Sequence, residues 1–354
     1  MRHLTALATC VLAAAIVTAP SQALEPVVKN VTISFSGDVL AHNSLYWAAE
    51  KADSYDFTPM FRPLASTLSA DINICHLETP LTNAEPMSYP VFSTPVELAT
   101  ALKAAGFDGC SIASNHSLDQ GPTGVVSTIT ELRAVGLKTA GARKSASGTS
   151  IGWYTAPNGL RIAQLAFTYG FNGRSLPSDK WWMVNRISER NILSAARRAR
   201  EQGADVVVAT LHWGTEYSRT ANAMQRNLAQ ALTSSEDIDA VVGHHSHVVQ
   251  NAVMMNSKPV IYGLGNLWSG QGPWKDQPYG QQGAVVTLKF GVSEETTRYL
   301  SGSFVPTLTI PGSWQVMDAR KVTKSTQLTQ ACGSISNAAK QLAMLSGPRV
   351  CPKR

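Results

Sequence analysis

Short, β-prone apolar runs recur along this chain, and each of them ends in a polar or metal-capable residue. Such runs are typical of buried parallel strands, because both faces of these strands are covered by other elements. Ligands of open α/β sheets bind beyond the carboxyl ends of the strands, so we expect the terminal side chains to converge. These residues are Asp38, Glu78, Asn115 with His116, His212, His245 with His247, and Asn266. The pattern therefore predicts an α/β enzyme.

The rest of the pattern predicts helices between the strands and a hairpin near the middle of the chain. Apolar residues at helical spacing predict helices over residues 59–70, 95–106, 122–135, 188–202 and 223–233. Residues 151–169 contain two apolar runs joined by Pro157-Asn158-Gly159, and Asn-Gly in such a place favours a β-hairpin. This order predicts two packed sheets with helices outside. Residues 291–354 have weaker periodicity and are expected to form an appended tail.

The N-terminus is typical of a secretory signal peptide. Arg2 precedes an uncharged apolar stretch from Leu7 to Ala19, and Ser21-Gln22-Ala23 forms a small-x-small cleavage signal. The stretch is short for a membrane span, and no later segment is apolar for long enough to cross a bilayer. We therefore expect residues 1–23 to be removed and the mature chain to be secreted or periplasmic, without a transmembrane anchor.

Composition and charge narrow the choice of partners. The 354 residues are 44% hydrophobic and 15% charged, which can fill the core of one large domain or two smaller ones. Loss of residues 1–23 removes Arg2 and no acidic residue, so the formal net charge changes from +6 to +5. This charge suits a polyanion such as a capsule polymer, although general solubility is the simpler explanation. We find no Lys and Arg cluster with interleaved aromatic residues, so nucleic acid is not an expected partner.

Four cysteines remain after removal of the signal peptide. Cys332 and Cys351 bracket the tail and are expected to form a disulfide in an oxidising compartment. Cys75 and Cys110 each lie in a predicted strand, where we expect small buried hydrophobic side chains. A disulfide between neighbouring strands is the alternative, and it makes strict geometric demands.

Paired histidines and strand-end carboxylates indicate a binuclear metal site. The spacing of His245 and His247 allows both imidazoles to reach one cavity while facing different ions, and His212 adds a third nitrogen donor. A binuclear site also needs a carboxylate that bridges cations about 3.5–4 Å apart. Imidazole with carboxylate suits Zn, Mn or Fe, whereas Ca²⁺ prefers oxygen ligands. We therefore expect two divalent ions of one of these three metals.

Asn115 and His116 suggest a division between metal binding and acid catalysis. The Asn115 amide oxygen is a candidate ligand, although a helix cap is the ordinary role of an isolated Asn before a helix. His116 is the candidate acid that protonates a leaving oxygen. Asp119, three residues later, is expected to hold the imidazole of His116 in one tautomer.

Several further residues have weaker assignments. Glu216, Asn266 and His244 are candidate substrate contacts, while a solvated side chain is the alternative for Glu216 and a hydrogen bond within its own turn for His244. His42 is either a ligand that completes the first metal site or a surface histidine. Two aromatic residues in a polar loop, Trp181 and Trp182, either line a groove or pack over the hairpin.

Taken together, these motifs resemble the bacterial capsule synthesis proteins of the CapA/PgsA type, which act in poly-γ-glutamate synthesis. The resemblance covers residues 29–290, which we expect to form one domain. Its motifs are Gly37-Asp38, Leu77-Glu78, Asn115-His116 with Asp119 and Gly121, His212-Trp213-Gly214 with Glu216-Tyr217, Gly243 to His247, and Gly263 to Asn266. Because that family belongs to the calcineurin-like metallophosphoesterases, the resemblance implies an α/β fold built as a four-layer α/β/β/α sandwich.

The resemblance also implies roles for individual ligands. Asp38 and His247 would bind the first metal, with Glu78 as the bridging carboxylate. The second metal would be bound by Asn115, His212 and His245. Leu40, His76 and Ser246 depart from the usual motifs, which have His, Asn and Pro at these positions. These departures concern the number of bound metals more than the fold.

Two functions follow from these expectations. The first is a secreted metal-dependent hydrolase that activates water against a phosphoester or a γ-glutamyl amide, with an anionic polymer or phosphoester as substrate. The second is a non-catalytic export or assembly factor that binds capsule polymer in association with a capsule synthase. Cleavage assays on metal-loaded protein separate the two.

Overall fold

The computed structural model describes residues 29–272, 279–349 and 351, so the expected signal peptide lies outside the described residues. The strands are β1 Lys29–Leu40, β2 Ile72–Leu77, β3 Leu81–Thr82, β4 Thr94–Pro95, β5 Gly109–Ser111, β6 Lys138–Ala140, β7 Ile151–Thr155, β8 Arg161–Thr168, β9 Val206–His212, β10 Ala240–His244, β11 Ala252–Met255, β12 Lys258–Ile261, β13 Asn266–Ser269, β14 Gln282–Val292, β15 Thr297–Thr309 and β16 Val316–Asp318. The helices are α1 Asn43–Ala49, α2 Thr58–Phe61, α3 Leu98–Ala105, α4 Gly121–Ala134, α5 Glu189–Glu201, α6 Ala223–Ser234 and α7 Ser325–Gln341. None of these helices has the length and apolar character needed to span a bilayer.

Two large sheets organise the described residues. The first has the strand order β16-β15-β14-β1-β2-β5-β6, with β13 also paired to β1, and the second has the order β11-β12-β10-β9-β8-β7. Strands β1, β2, β5 and β6 are mutually parallel, as are β8, β9, β10 and β12. The expected hairpin is the antiparallel pair β7 and β8. Each sheet therefore presents several carboxyl strand ends at one edge.

Separate apolar clusters define four layers. Phe35 of β1 and Val242 of β10 lie in the cluster between the two sheets. The outer face of the first sheet packs against α1 to α4, with Leu102 and Ile129 in its cluster, and the outer face of the second packs against α5 and α6. Apolar burial of this kind on both faces of each sheet stabilises the arrangement. The expected α/β/β/α sandwich is confirmed.

The C-terminal residues extend the first sheet, which corrects the expectation of an appended tail. Strand β15 pairs antiparallel with β14 along most of its length, and β16 pairs with β15. Ala338 on α7 and Leu342 just after it join the cluster between the sheets. The first half of β15 is partly to fully exposed and contains Gly302 between two serines, so its sequence lacks the regular alternation that marks a strand.

The helix expected over residues 59–70 is also shorter than its pattern suggested. Helix α2 ends at Phe61, and residues 62–67 continue as a 3₁₀ helix. Pro63 has no backbone N–H and clashes with the preceding helical turn, so it does not allow a continuous α-helix here.

Cys75 and Cys110 form a disulfide, which corrects their interpretation as free buried side chains. They are direct partners across the parallel pair β2 and β5, and their Cα atoms lie 4.4 Å apart. This register satisfies the geometric demand that made the bond hard to expect from sequence. Cys332 and Cys351 are also bonded, with Cα atoms 5.2 Å apart.

We expect the Cys75–Cys110 bond to contribute substantially to stability. It closes a loop with a sequence separation of 35, for which restriction of the unfolded chain is worth about 4 kcal/mol. The double variant Cys75→Ala/Cys110→Ala should lose stability of this order in equilibrium urea unfolding. The matched control is wild type with and without reductant. A midpoint that neither reduction nor the double substitution lowers would contradict a structural role for this bond.

Candidate metal centre

The strand ends of the two sheets meet at one buried site. In the first sheet, Asp38 near the end of β1 lies in register with His76 on β2 and Asn266 on β13. In the second sheet, His212 at the end of β9 pairs in register with His244 at the end of β10. All five side chains belong to residues that are at most 2% exposed. Polar groups from both sheets are therefore enclosed together in the interior.

Gly37 permits the close backbone approach that positions Asp38. A Cβ atom at residue 37 would lie only 2.3 Å from the carbonyl oxygen of Gly265. Without that atom, the Asp38 N–H donates to the Gly265 carbonyl oxygen at 2.8 Å. A side chain at position 37 would force β1 away from the loop that precedes β13.

Three overlapping groups of side chains have the composition of metal ligands. They are Asp38 with His76 and His244, His76 with Glu78 and His212, and Glu78 with His245 and His247. Within each group, the ligand atoms all lie within 4.8 Å of one another, and every member is buried. Glu78 belongs to two groups, so its carboxylate lies within reach of His76 and His212 as well as of His245 and His247.

Glu78 carries the strongest indication of a bound cation. Both carboxylate oxygens are buried and have no hydrogen-bond partner among the described residues. Its Oε1 lies 3.8 Å from His212 Nε2 and 3.7 Å from His247 Nε2, which are too far for hydrogen bonds. Burial raises the pKa of this carboxyl well above its usual value. An unpaired buried carboxylate is costly, and divalent metal ions would satisfy it, so the residues present fit a metal centre.

Asp38 is held in its ionised form by two histidines. Its Oδ1 lies 3.1 Å from His244 Nδ1, and its Oδ2 lies 3.2 Å from His247 Nδ1. Burial opposes ionisation, but these contacts outweigh it and hold the pKa of Asp38 well below its usual range. Burial also opposes charge on His247, yet Glu78 and Asp38 together raise its pKa to about 10. Without metal, a proton on His247 therefore partly compensates the two carboxylates.

A chain of hydrogen bonds links the histidines of the two sheets. His212 Nε2 lies 2.9 Å from Asn115 Oδ1, and His212 Nδ1 lies 2.9 Å from His76 Nε2. The other nitrogen of His76 contacts Ser111 Oγ at 2.8 Å. Burial lowers the pKa values of His76 and His212 well below the usual value, so both are neutral, which is the form that binds metals.

His76 is a site residue that sequence reasoning treated only as a departure from the usual motif. It belongs to two of the three ligand groups, and its ring stacks on that of His244 with centroids 4.1 Å apart. The available signal was its position two residues before Glu78, because alternate residues of a strand face the same side.

The paired histidines of the second sheet occupy an unusual backbone conformation. His245 has φ of 86° and His247 has φ of 55°, in the left-handed region that residues other than Gly rarely adopt. Between them, Ser246 Oγ donates to the carbonyl of Val248 at 2.8 Å. Strain of this kind persists where the surrounding structure enforces it and clusters at functional sites. Here it accompanies the convergence of both imidazoles on Glu78.

His116 and Asp119 lie together as expected from their spacing, and neither belongs to a ligand group. His116 Nδ1 lies 2.7 Å from Asp119 Oδ2, which also accepts the backbone N–H of Phe92 at 2.7 Å. Phe92 meets the His116 ring edge to face at 4.7 Å. Asn172 Nδ2 lies 3.4 Å from His116 Nε2. These contacts fix the ring, so His116 is suited to proton transfer.

Asn266 lies behind the ligands rather than at a surface that a substrate could reach. It is fully buried, and its Oδ1 lies 3.0 Å from His247 Nδ1. Its Nδ2 donates to Gln271 Oε1 at 2.9 Å and to the Gly280 carbonyl at 2.7 Å. Because every polar atom of the side chain has a partner, Asn266 orients His247, and the structure does not support the expected substrate contact.

Of the other weakly assigned residues, His244 belongs to the ligand groups, whereas Glu216 and His42 do not. His244 is 2% exposed and contacts Asp38, so it is part of the ligand cluster. This burial does not support the expected substrate contact, and the partner of its side chain is Asp38 rather than a group of its own turn. Glu216 is exposed and lies in the same loop as Tyr217, whose ring lies 5.8 Å from that of His247. His42 belongs to none of the three groups and packs edge to face against Phe92 at 5.4 Å.

We expect metal to stabilise the protein markedly, because binding relieves the unpaired Glu78. At a free metal concentration about 1,000-fold above Kd, binding stabilises the folded state by about 4 kcal/mol. In differential scanning calorimetry, Zn²⁺ or Mn²⁺ should raise the Tm of chelator-treated protein by about 5–10 °C. Ca²⁺ should raise it much less, since the cluster is rich in nitrogen donors. Equal Tm values with chelator and with each metal would argue against the site.

Comparison with known protein families finds a match to the model for the bacterial capsule synthesis protein PGA_cap over residues 32–271. Among similar proteins, the capsule biosynthesis protein CapA of Bacillus anthracis is 31% identical over 183 residues, covering 51% of this chain and 44% of the relative. The PGA biosynthesis protein CapA of Bacillus subtilis (strain 168) is 30% identical over 262 residues, which covers 68% of this chain and 64% of that relative. The chain thus spans about half to two thirds of the length of these relatives.

A solved structure with a related arrangement is the calcineurin-like phosphoesterase YfkN from Bacillus subtilis. It is 14% identical to this chain with a TM-score of 0.47, and the match covers 86% of this chain and 96% of that one.

Proposed function

Because the chain belongs to the bacterial capsule synthesis protein family, we propose that it is a secreted or periplasmic metal-dependent hydrolase acting on an anionic extracellular polymer. The observation that carries this proposal is the buried carboxylate of Glu78, which has no hydrogen-bond partner in the part of the chain that the structure describes and belongs to two groups of candidate ligands. A carboxylate in this position fits a bridge between two cations. The mature chain, by this proposal, works outside the cytoplasm after loss of residues 1–23.

The proposed ligands divide between two ions. Asp38 and His247 would hold the first ion and Asn115, His212 and His245 the second, with Glu78 shared. His244 and His76 lie within reach of the same donors and would either complete a coordination shell or fix the ligands in place. The metals would be Zn, Mn or Fe, which imidazole and carboxylate together suit.

Two bound cations would supply a nucleophilic water and neutralise the charge that develops at the reacting centre. The contribution of the protein is then positional. Asp119 engages Nδ1 of His116, which leaves Nε2 to carry a proton towards the leaving group. Tyr169 packs on His245 with ring centroids 4.6 Å apart and shields that ligand from water. The same arrangement suits a phosphoester or a γ-glutamyl amide, because both develop negative charge on oxygen.

Cleavage assays test the hydrolase directly. Protein loaded with Zn²⁺ or Mn²⁺ should release product from a chromogenic phosphodiester or shorten poly-γ-glutamate, and chelation should stop the reaction. The His247→Ala variant is the matched control and should be inactive. Circular dichroism checks that this variant is folded. Turnover that survives both chelation and this substitution would remove the metal cluster from the mechanism.

A non-catalytic role in polymer export or assembly is the second candidate, with a capsule synthase as the partner. It is favoured by the names of the two relatives, both of which are described as biosynthesis proteins. Tight binding of poly-γ-glutamate with no cleavage of either substrate by metal-loaded protein would support this role and reject the hydrolase.

A further inference from the structure

A cavity of about 580 Å³ lies beside the metal centre, formed by the loop after β8. Tyr169 and Asn172 line it and also touch the centre: the Tyr169 ring packs on His245, and Asn172 Oδ1 accepts from Asn115 Nδ2 at 3.2 Å. Its other lining residues include Arg174 and Arg186. This cavity therefore opens from the reacting groups towards two exposed guanidinium groups.

A second cavity, of about 440 Å³, adjoins the first. Trp181 and Arg186 line both cavities, so the two share a wall. The second cavity also contains Arg143 from the loop after β6 and Arg198 from α5. Trp181 is 72% exposed and lines both cavities, so its ring is accessible to a bound ligand. The two cavities together form what we name the arginine groove.

Charge in the arginine groove is uncompensated. Among the described residues, no Asp or Glu lines either cavity. Arg174 has only a distant carboxylate, Asp119, with Nε 4.0 Å from Oδ1. The other three arginines, Arg143, Arg186 and Arg198, form no ion pair with any residue that the structure describes. Four arginines, of which only Arg174 has a carboxylate within 4.0 Å in the described ranges, attract an anion, and each guanidinium matches a carboxylate in a bidentate geometry.

Arg143 is held in place for such a contact. Its Nε donates to the Trp182 carbonyl at 3.1 Å, its Nη1 donates to the Gly148 carbonyl at 3.2 Å, and the guanidinium lies 5.6 Å from the Trp182 ring centre. Burial is the main cause that lowers the pKa of Arg143, and repulsion from the like charge of Arg198 adds to it. An anion between them would relieve this repulsion.

We propose that the arginine groove binds a flexible polycarboxylate chain across several of its repeat units and leads one end of it to the metal centre. The choice of a polycarboxylate rests on the proposed function, whereas the position of the groove rests on the two cavities and their arginines. Trp181, which lines both cavities, would pack against the methylene groups of the chain between successive carboxylates.

Direct binding to chelator-treated protein tests this proposal apart from catalysis. The probes are fluorescently labelled γ-linked glutamate oligomers of two and ten residues, and the readout is fluorescence anisotropy. The ten-residue oligomer should bind at least about 100-fold more tightly than the two-residue oligomer, because several charge-assisted contacts form together. Its affinity should fall steeply as NaCl is raised.

Arg198→Gln should weaken binding of the ten-residue oligomer about tenfold, and Arg143→Gln should do the same. Arg198 is exposed and bonds only Ser194 among the described side chains, so its replacement keeps the test valid if the Arg143 variant folds poorly. Arg197→Gln is the matched control, since this exposed neighbour lines neither cavity, and it should bind like wild type.

Each result has a defined meaning. Wild-type affinity in both groove variants, or equal affinity for the two oligomers, overturns the groove. Tighter binding of polyphosphate than of the ten-residue oligomer at equal charge overturns the choice of a polycarboxylate. Intact binding with no cleavage by metal-loaded protein rejects the hydrolase and leaves the groove standing, so the two failures are distinguishable.

Discussion

Glu78→Gln is expected to abolish tight metal binding while making the metal-free protein more stable. The substitution preserves size but removes the shared anionic ligand, so activity should fall by at least about 100-fold. In the metal-free chain it also removes a buried carboxyl group that has no hydrogen-bond partner among the described residues, which should raise the free energy of unfolding by about 1–3 kcal/mol. Metal content by plasma emission spectrometry and urea unfolding with chelator measure the two effects.

Glu216→Gln is the matched control for this substitution. Glu216 is an exposed glutamate near the same site, so its replacement should leave metal content and metal-free stability unchanged. If Glu78 had only a structural role, the metal-free Glu78→Gln variant would have a lower free energy of unfolding than wild type. That outcome, or a variant with full metal content, would contradict the bridging role.

His116→Ala is expected to reduce kcat by about 10²–10⁴-fold without loss of metal. This imidazole is outside the three ligand groups and is held by Asp119 at 2.7 Å, so by our proposal it would act on the substrate and not on the ions. Initial rates with metal-loaded protein, together with metal content, test both parts of the expectation.

The leaving group provides an internal control for His116. A p-nitrophenolate departs without protonation. The loss of activity in the variant should therefore be much smaller with such a substrate than with one that has an alkyl leaving group. An equal loss with both substrates would mean that His116 has a role other than proton donation. Loss of metal from the variant would instead make it a positioning residue of the centre.

The sandwich and most of its site were predictable from sequence because they follow from a repeated local pattern. Apolar strands that end in Asp38, Glu78 and His212 place these residues at one edge of their sheets once the strands are parallel. His76 was noted only as a departure from the usual motif, although its position two residues before Glu78 was visible and indicates that both side chains face the same side of the chain.

Features that depend on long-range pairing were not predictable. The Cys75–Cys110 bond requires the register between β2 and β5, which neither strand specifies alone. The orienting role of Asn266 depends on side-chain contacts with His247, Gln271 and Gly280, which the pattern of apolar residues does not specify. The arginine groove likewise combines loops after β6 and β8 with α5, and none of these segments has a periodic signal that joins them.

The most direct test of the metal centre is anomalous diffraction at the zinc absorption edge from crystals grown with Zn²⁺. We predict two peaks inside the cluster of strand ends, each within about 2.0–2.2 Å of its ligand atoms, with Glu78 shared between them. Peaks confined to the protein surface, or a cluster without a peak in which Glu78 remains unpaired, would contradict the proposed binuclear site.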